Sequence, residues 1–196
     1  MDEAARKLQE LAEQILVCPL CRLSITRTIA VPGEGPATAP IMLIGEGPGE
    51  QEDRSGRPFV GAAGQLLDQL LLKAELKRSC IFVTNIVKCR PPGNRDPLCD
   101  EVAACRPYLD AQMALLKAPL IGLLGRWATH SLLSPKLLMS DVHGVPHERN
   151  GMLFVPLYHP AAALRQPSLQ PVLVDDLRRL RGLLDQVSCL RPEPLP

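Results

Sequence analysis

The chain alternates two kinds of apolar pattern. Ile41-Met42-Leu43-Ile44, Cys80–Val87, Leu120–Leu124 and Met152–Leu157 are short, nearly continuous apolar runs edged by Gly, Pro or polar residues. Such runs predict strands buried on both faces. Other segments carry apolar residues at helical spacing. Leu8, Leu11, Ala12 and Ile15 predict a helix over 2–16 that "VCPLC" breaks, and Leu66, Leu67, Leu70 and Leu71 predict one over Gly61–Lys77. Cys99–Leu116 reads as a helix that Pro107 kinks or splits. Gly125–Leu133 and Ser168–Val187 complete the set. Thr26–Pro40 and "KCRPPGNRDP" are too rich in Pro, Gly and Thr for regular structure.

Strands alternating with helices predict an α/β fold: three layers, α/β/α, around a central four-stranded and mostly parallel sheet. In such sheets ligands bind outside the carboxyl ends of the strands. Three unusual segments fall there: "GEGPG" after the first strand, "TNIVKCRPP" after the second and "YHP" after the fourth. One domain over 1–190 is expected, followed by a Pro-rich tail, 191–196, without regular structure. There is no internal repeat and no sign of a second domain.

Composition narrows the function classes. The 196 residues are 46% apolar, the balance of a globular protein. No apolar run approaches the ~20 residues of a membrane span. The charged, amphipathic start is not a secretory signal. A cytoplasmic, monomeric protein is expected. A net charge of +1 means that any nucleic-acid partner must be drawn by a local basic patch. Aromatics are only 3% of residues, so each one invites its own explanation.

The turn Gly45-Glu46-Gly47-Pro48-Gly49 does not fit the familiar phosphate loops. A dinucleotide fingerprint opens directly into a helix, whereas here Pro48 and a polar stretch intervene before the helix expected near Gly61. A Walker loop needs Gly-Lys-Ser/Thr, which is absent. What glycines do supply is close approach of bare backbone N–H groups to a ligand. Of seven cysteines, Cys18 and Cys21 form a C-x2-C pair. Two more from the downstream loop and helix would complete a four-thiolate site for zinc or a [4Fe–4S] cluster. Cys89 is one; Cys105 and Cys99 compete for the other; Cys80 and Cys189 read as plain thiols.

Taken together, "GEGPGEQEDRSGRPFVGAAGQLLDQLL", "TNIVKCRPPGNRDP", the cysteines and "YHPAAALR" resemble the family 4 uracil-DNA glycosylases, the iron–sulfur class, from about Cys18 to Arg181. The resemblance implies a uracil-DNA glycosylase-like fold, excision of uracil from DNA to leave an abasic site, and a [4Fe–4S] cluster on Cys18, Cys21, Cys89 and Cys105. It also gives the odd segments roles. Phe59 matches the residue that stacks on a flipped base. Asn85 matches the one that reads uracil by donating to O4 and accepting from N3–H. His159 matches the histidine that donates to O2 as charge develops there. Backbone near Glu46 and Gly47 is expected at the pyrimidine carbonyls. Glu46 is the carboxylate expected to steady the sugar cation or orient water, and Glu52 a guard against the thymine methyl. His143 and His147 are expected in a solvated loop and His130 on a helix.

Uracil-containing DNA is the expected partner. Lys88, Arg90 and Arg95, with Arg54 and Arg57 beside the Phe loop, are candidate phosphate contacts, and Leu164 with Arg165 a candidate wedge in the base stack. Two other readings use the same motifs: a protein that binds uracil-DNA covalently or without turnover, and an iron–sulfur electron carrier. Against the covalent binder, "GNRDP" lacks the basic insertion and histidine of the capture class.

Overall fold

The computed structural model describes residues 3–190; Asp2, assigned to the first helix, and the Pro-rich tail 191–196 lie outside the described residues. The strands are β1 (Ile41–Gly45), β2 (Ile81–Asn85), β3 (Leu120–Leu124), β4 (His147–Arg149) and β5 (Met152–Leu157). They form one sheet in the order β2-β1-β3-β5-β4, parallel except for β4. The expected four parallel strands are therefore present, with a fifth added antiparallel along β5. His147, expected in a loop, opens this edge strand.

Residues of β1 alternate between two cores, as a strand's period of two requires. Ile41 and Leu43 face Leu67, Leu70 and Leu71 of α4 (Ala62–Lys73) and Leu173, Leu177 and Leu180 of α9 (Leu169–Leu190). Met42 and Ile44 face Leu109 and Leu116 of α5 (Cys99–Leu116) and Ala128 and Leu132 of α6 (Arg126–Leu132). Both faces are thereby covered, which gives the three layers. Pro107 does not split α5. A satellite cluster of Ile15, Leu23, Ala30, Val87 and Cys89 packs α1 (Glu3–Leu16) and the four-residue α2 (Leu23–Thr26) against the end of β2 and against α5.

Two local expectations fail for clear reasons. The helix predicted over Gly61–Lys77 stops at Lys73, because Glu75 turns the chain with φ +57°. And the polar stretch after GEGPG, expected to be irregular, is the helix α3 (Glu50–Ser55). Gly49 stands before it in extended conformation, and the Glu52 side chain reaches back to the Gly49 N–H at 3.1 Å, one arm of a capping box. The glycine turn thus does open directly into a helix.

The chain order reverses at β1: β2 lies on one side and β3 on the other. A crevice outside the carboxyl ends of β1 and β3 is the consequence. The outer side of β2 is met by an antiparallel bridge from Glu34 to Val83, and the other rim of the sheet is the short, polar β4.

Candidate active site

That crevice holds a cleft of about 590 Å³, lined by residues from four strand tips and the Phe loop. Glu46, Gly47, Glu52, Phe59, Asn85, Arg95, His159 and Arg165 all line it, so most of the residues selected from sequence meet in one place. Lys88, Arg90 and Leu164 do not.

Phe59 is buried although it sits in a Gly/Pro-rich loop, and its φ of +54° is rare for a residue with a side chain. Three features hold it there. Gly64, in the first turn of α4, lies so close beneath that a Cβ on it would come within 1.8 Å of the Phe59 carbonyl oxygen. A Cβ on Gly45, at the tip of β1, would come within 2.6 Å of the ring and 2.4 Å of the Asn85 Oδ1. Glu52 supplies the third: its Oε1 accepts from the N–H groups of Val60 (2.9 Å) and Gly61 (2.8 Å) while Oε2 accepts from Gly49. The carboxylate expected to face a thymine methyl is instead spent on backbone, clamping the Phe loop to the glycine turn.

Asn85 ends β2, 1% exposed, and its Oδ1 is buried with no hydrogen-bond partner. Native proteins rarely leave such an atom unpaired unless it has a use. Its backbone is fixed from behind by Lys88, whose Nζ donates to the Asn85 carbonyl (2.8 Å), Thr84 Oγ1 (2.6 Å) and Gln112 Oε1 (2.7 Å). Lys88 is 1% exposed, and burial brings its amine down to about 7. The expected phosphate contact is thus corrected: the apolar run of β2 continues through Ile86 and Val87 and carries Lys88 inside with it.

His159 follows β5 and precedes α8 (Pro160–Arg165). Its Nδ1 accepts from the Ala161 N–H at 3.1 Å. Burial first, then Arg165, brings the imidazole down to about 4, so the ring is neutral at physiological pH. With Nδ1 occupied as an acceptor, Nε2 is the nitrogen with a proton to give. The ring lies 5.9 Å from that of Phe59, tilted by 32°. Gly125, at the tip of β3 with φ +91°, leaves the room this needs; a Cβ there would lie 2.9 Å from His159 Cβ.

Glu46 is half-buried at the tip of β1. Burial, reinforced by the charge of Asp96, raises its carboxyl to about 7, and Arg126 opposes the shift. Asp96 and Arg126 pair across the mouth at 3.3 Å, and the Arg126 guanidinium lies 5.5 Å from the Trp127 ring centroid. Arg126, Trp127 and Asp96 line the cleft and went unselected in the sequence. A signal existed: Trp127 is the lone tryptophan and follows the third strand, the one strand tip left out of the predicted convergence.

Four other cations selected from the sequence have protein partners. Arg95 is held in a two-bond pair by the fully buried Glu101, at 2.6 and 2.9 Å. Arg90 donates to Asn94 Oδ1 at 2.7 Å and lies 3.8 Å from Glu50. Arg57 pairs with Glu34 and Arg54 with Glu50. Leu164 is 44% exposed on α8. His143 is not a free loop residue: its Nδ1 lies 2.7 Å from the buried Asp176. His130 lies on α6, as expected.

Cys18, Cys21, Cys89 and Cys105 line a second, small cavity between the N-terminal arm, the loop after β2 and α5. Cys99 and Cys80 are exposed and do not line it. Burial pushes Cys105 up to about 11 and raises Cys89, and neighbouring thiols add to both shifts. Among the described residues no group of three His, Cys, Asp or Glu side chains is placed to grip a single metal ion. No helix among them is long and apolar enough to cross a membrane.

An α/β/α sandwich with a cleft at its switch point is the architecture of a known class, and the chain belongs to it: residues 32–180 match the uracil DNA glycosylase superfamily. Within that superfamily it is similar to proteins named type-4 uracil-DNA glycosylase. It is 44% identical to that of Sulfurisphaera tokodaii, the match covering 90% of this chain and 84% of the relative. The relative from Pyrobaculum aerophilum is also 44% identical, over 89% of this chain and 93% of its own. The one from Thermotoga maritima is 36% identical, over 90% and 94%.

Proposed function

We propose that the chain is a single-domain DNA repair enzyme that flips deoxyuridine out of DNA and hydrolyses its N-glycosidic bond, releasing uracil and leaving an abasic site. One observation carries this reading: the unpaired, buried Oδ1 of Asn85 beside the Phe59 ring, in a pocket that also holds the neutral His159. An extruded uracil answers each of these. Its face stacks on Phe59, an interaction contributing roughly 1–3 kcal/mol. Its N3–H donates to Asn85 Oδ1, and its O4 accepts from the Asn85 amide. Cytosine has no N3–H and carries an amine in place of O4, so both groups would stay buried and unpaired.

Bond cleavage places negative charge on the departing uracil, shared with O2, and positive charge on the sugar. His159 Nε2–H donates to O2 as that charge develops, and the neutral ring can do this without first taking up a proton. The Ala161 N–H fixes the tautomer that makes Nε2 the donor. The Gly47 backbone approaches the pyrimidine carbonyls closely because no side chain intervenes. Glu46, in its ionised form, sits to stabilise the sugar cation or to orient the attacking water. Arg126 and Arg165, at the mouth, contact the DNA backbone, and Leu164 enters the stack.

The four thiols around one cavity fit a [4Fe–4S] cluster: soft donors, two from the C-x2-C arm, one from the loop after β2 and one from α5. Cys18, Cys21, Cys89 and Cys105 would hold it. Its contribution is structural, fastening the arm to the loop that follows Asn85. The test is incubation with a uracil-containing oligonucleotide followed by alkali. Strand cleavage at uracil, and none at cytosine or thymine, is expected. An intact strand, or a protein trapped covalently on the DNA, would sink the reading.

A further inference from the structure

Arg27 has no part in the base pocket, yet it is among the most constrained cations of the molecule. It leaves α2 and turns inward to line the thiol cavity. Its Nη1 donates to Cys89 Sγ at 3.1 Å and to the Cys18 carbonyl at 2.9 Å; its Nη2 donates to the Leu16 carbonyl at 2.9 Å. One guanidinium therefore touches the arm that bears the C-x2-C pair and a thiol contributed from beyond β2. Its partners are a sulfur and two carbonyls, none of them a carboxylate. Arg27 is half-buried with no carboxylate bonded to it, a setting that negative charge on the neighbouring sulfurs would favour. Nearby, the Lys88 N–H points at the Cys105 sulfur, 3.3 Å away, so two of the four sulfurs receive an N–H donor.

We propose that Arg27 is the counter-ion of the iron–sulfur cluster. The inference rests on the cluster reading given above. Thiolates ligating a cluster carry the negative charge that Arg27 lacks in its own surroundings, and a donor on a ligand sulfur withdraws electron density from it. Two consequences follow. Ligand exchange at Cys89 is suppressed, because its sulfur is held in place by a charge-assisted bond. Adding an electron becomes less unfavourable: on reduction one electron enters from the electrode, no bond forms or breaks, and the extra negative charge is opposed by the fixed positive one. The planar fork matters as well, since the same group ties the Leu16 and Cys18 carbonyls to the Cys89 sulfur.

The experiment uses the iron-loaded full chain and three forms: wild type, Arg27→Gln and Arg27→Lys. Two quantities are read: the reduction potential by protein-film voltammetry, and the rate at which visible absorbance bleaches under an iron chelator. Arg27→Gln is expected to shift the potential to more negative values and to bleach several-fold faster. Arg27→Lys keeps the charge and is expected to retain most of the wild-type potential while bleaching at an intermediate rate. Equal potentials in wild type and Arg27→Gln would overturn the proposal, as would Arg27→Lys matching Arg27→Gln in both readouts, since Arg27 would then be only a brace. Should Arg27→Gln not accumulate, a wild-type potential in Arg27→Lys supports the proposal and a marked negative shift overturns it. A wild-type protein that takes up no iron removes the cluster reading itself, a failure visible before any variant is compared.

Discussion

Glu46 is held where an ionised carboxylate is disfavoured, and that sets two opposite expectations for one variant. Its folded value of about 7 lies above the ordinary carboxylate value, 4.5. Its contribution to stability is therefore present below pH 4.5 and is lost as pH rises through 7. Glu46→Gln should melt like wild type near pH 4 and at a higher temperature at pH 8, as followed by calorimetry. The same substitution should lower kcat/KM and abolish the rise in rate up to about pH 7 expected of the wild type. A pH profile unchanged by Glu46→Gln would remove the carboxylate from the chemistry. For His159 the sign is reversed: its folded value, about 4, is below the usual 6.5, so its stabilising contribution is present above pH 6.5 and lost as pH falls through 4. Asn85→Ala and His159→Ala should each slow uracil release, by about 10²–10³-fold for a lost donor to developing charge. Single-turnover assays measure this directly, and wild-type rates in both would end the pocket assignment.

Among the elements, the short polar ones carry the site. Glu52 on α3 accepts three backbone N–H bonds and is 9% exposed, so Glu52→Ala strands those donors. A loss of about 1–3 kcal/mol per stranded donor is the scale to expect. Denaturant titration should show it, together with a raised KM as the Phe59 loop loosens. Gly64→Ala should be as severe, because its Cβ would strike the Phe59 carbonyl. These elements also mark what the sequence could not express. Apolar runs announced β1, β2, β3 and β5, because strands buried on both faces need nothing else. The α3 segment Glu-Gln-Glu-Asp-Arg-Ser has no apolar period to read; it is a helix because Gly49 and Glu52 cap it and because it fills the gap between two glycine-rich turns. Strand β4 is likewise polar and owes its form to the free side of β5. Lys88 was misread because charge alone argued for solvent, although the apolar residues on either side argued for the interior. The cysteines were the more legible part: Cys105 and Cys99 both follow from sequence, and only the helix phase puts the first inward and the second out.

At the scale of the whole molecule, an almost neutral chain must concentrate its attraction for DNA at the mouth of the cleft. Arg126 has a single long pairing with exposed Asp96, whereas Arg57 is held by both oxygens of Glu34. Arg126→Ala should therefore lower the slope of log binding constant against log salt by about one, and Arg57→Ala should leave it nearly unchanged. Fluorescence anisotropy across a salt series decides between them; equal slopes would place the DNA path elsewhere. On the proposed cluster assignment, stripping iron from the loaded protein should free the arm that α1 and α2 form, seen as faster amide exchange over residues 3–26 with protection of β1 and β3 retained.

The short, polar rims of the sheet have a consequence for how the protein behaves on heating. A bare strand edge invites a like edge from a neighbour, and chains joined that way zip into fibrils. Here one border is sealed by three residues, two of them the charged Glu148 and Arg149, and the other by the lone Glu34 rung. Trimming the 145–151 ribbon should leave the pocket's four strand tips intact yet bare the β5 edge, and light scattering on heating should then rise above that of the full chain.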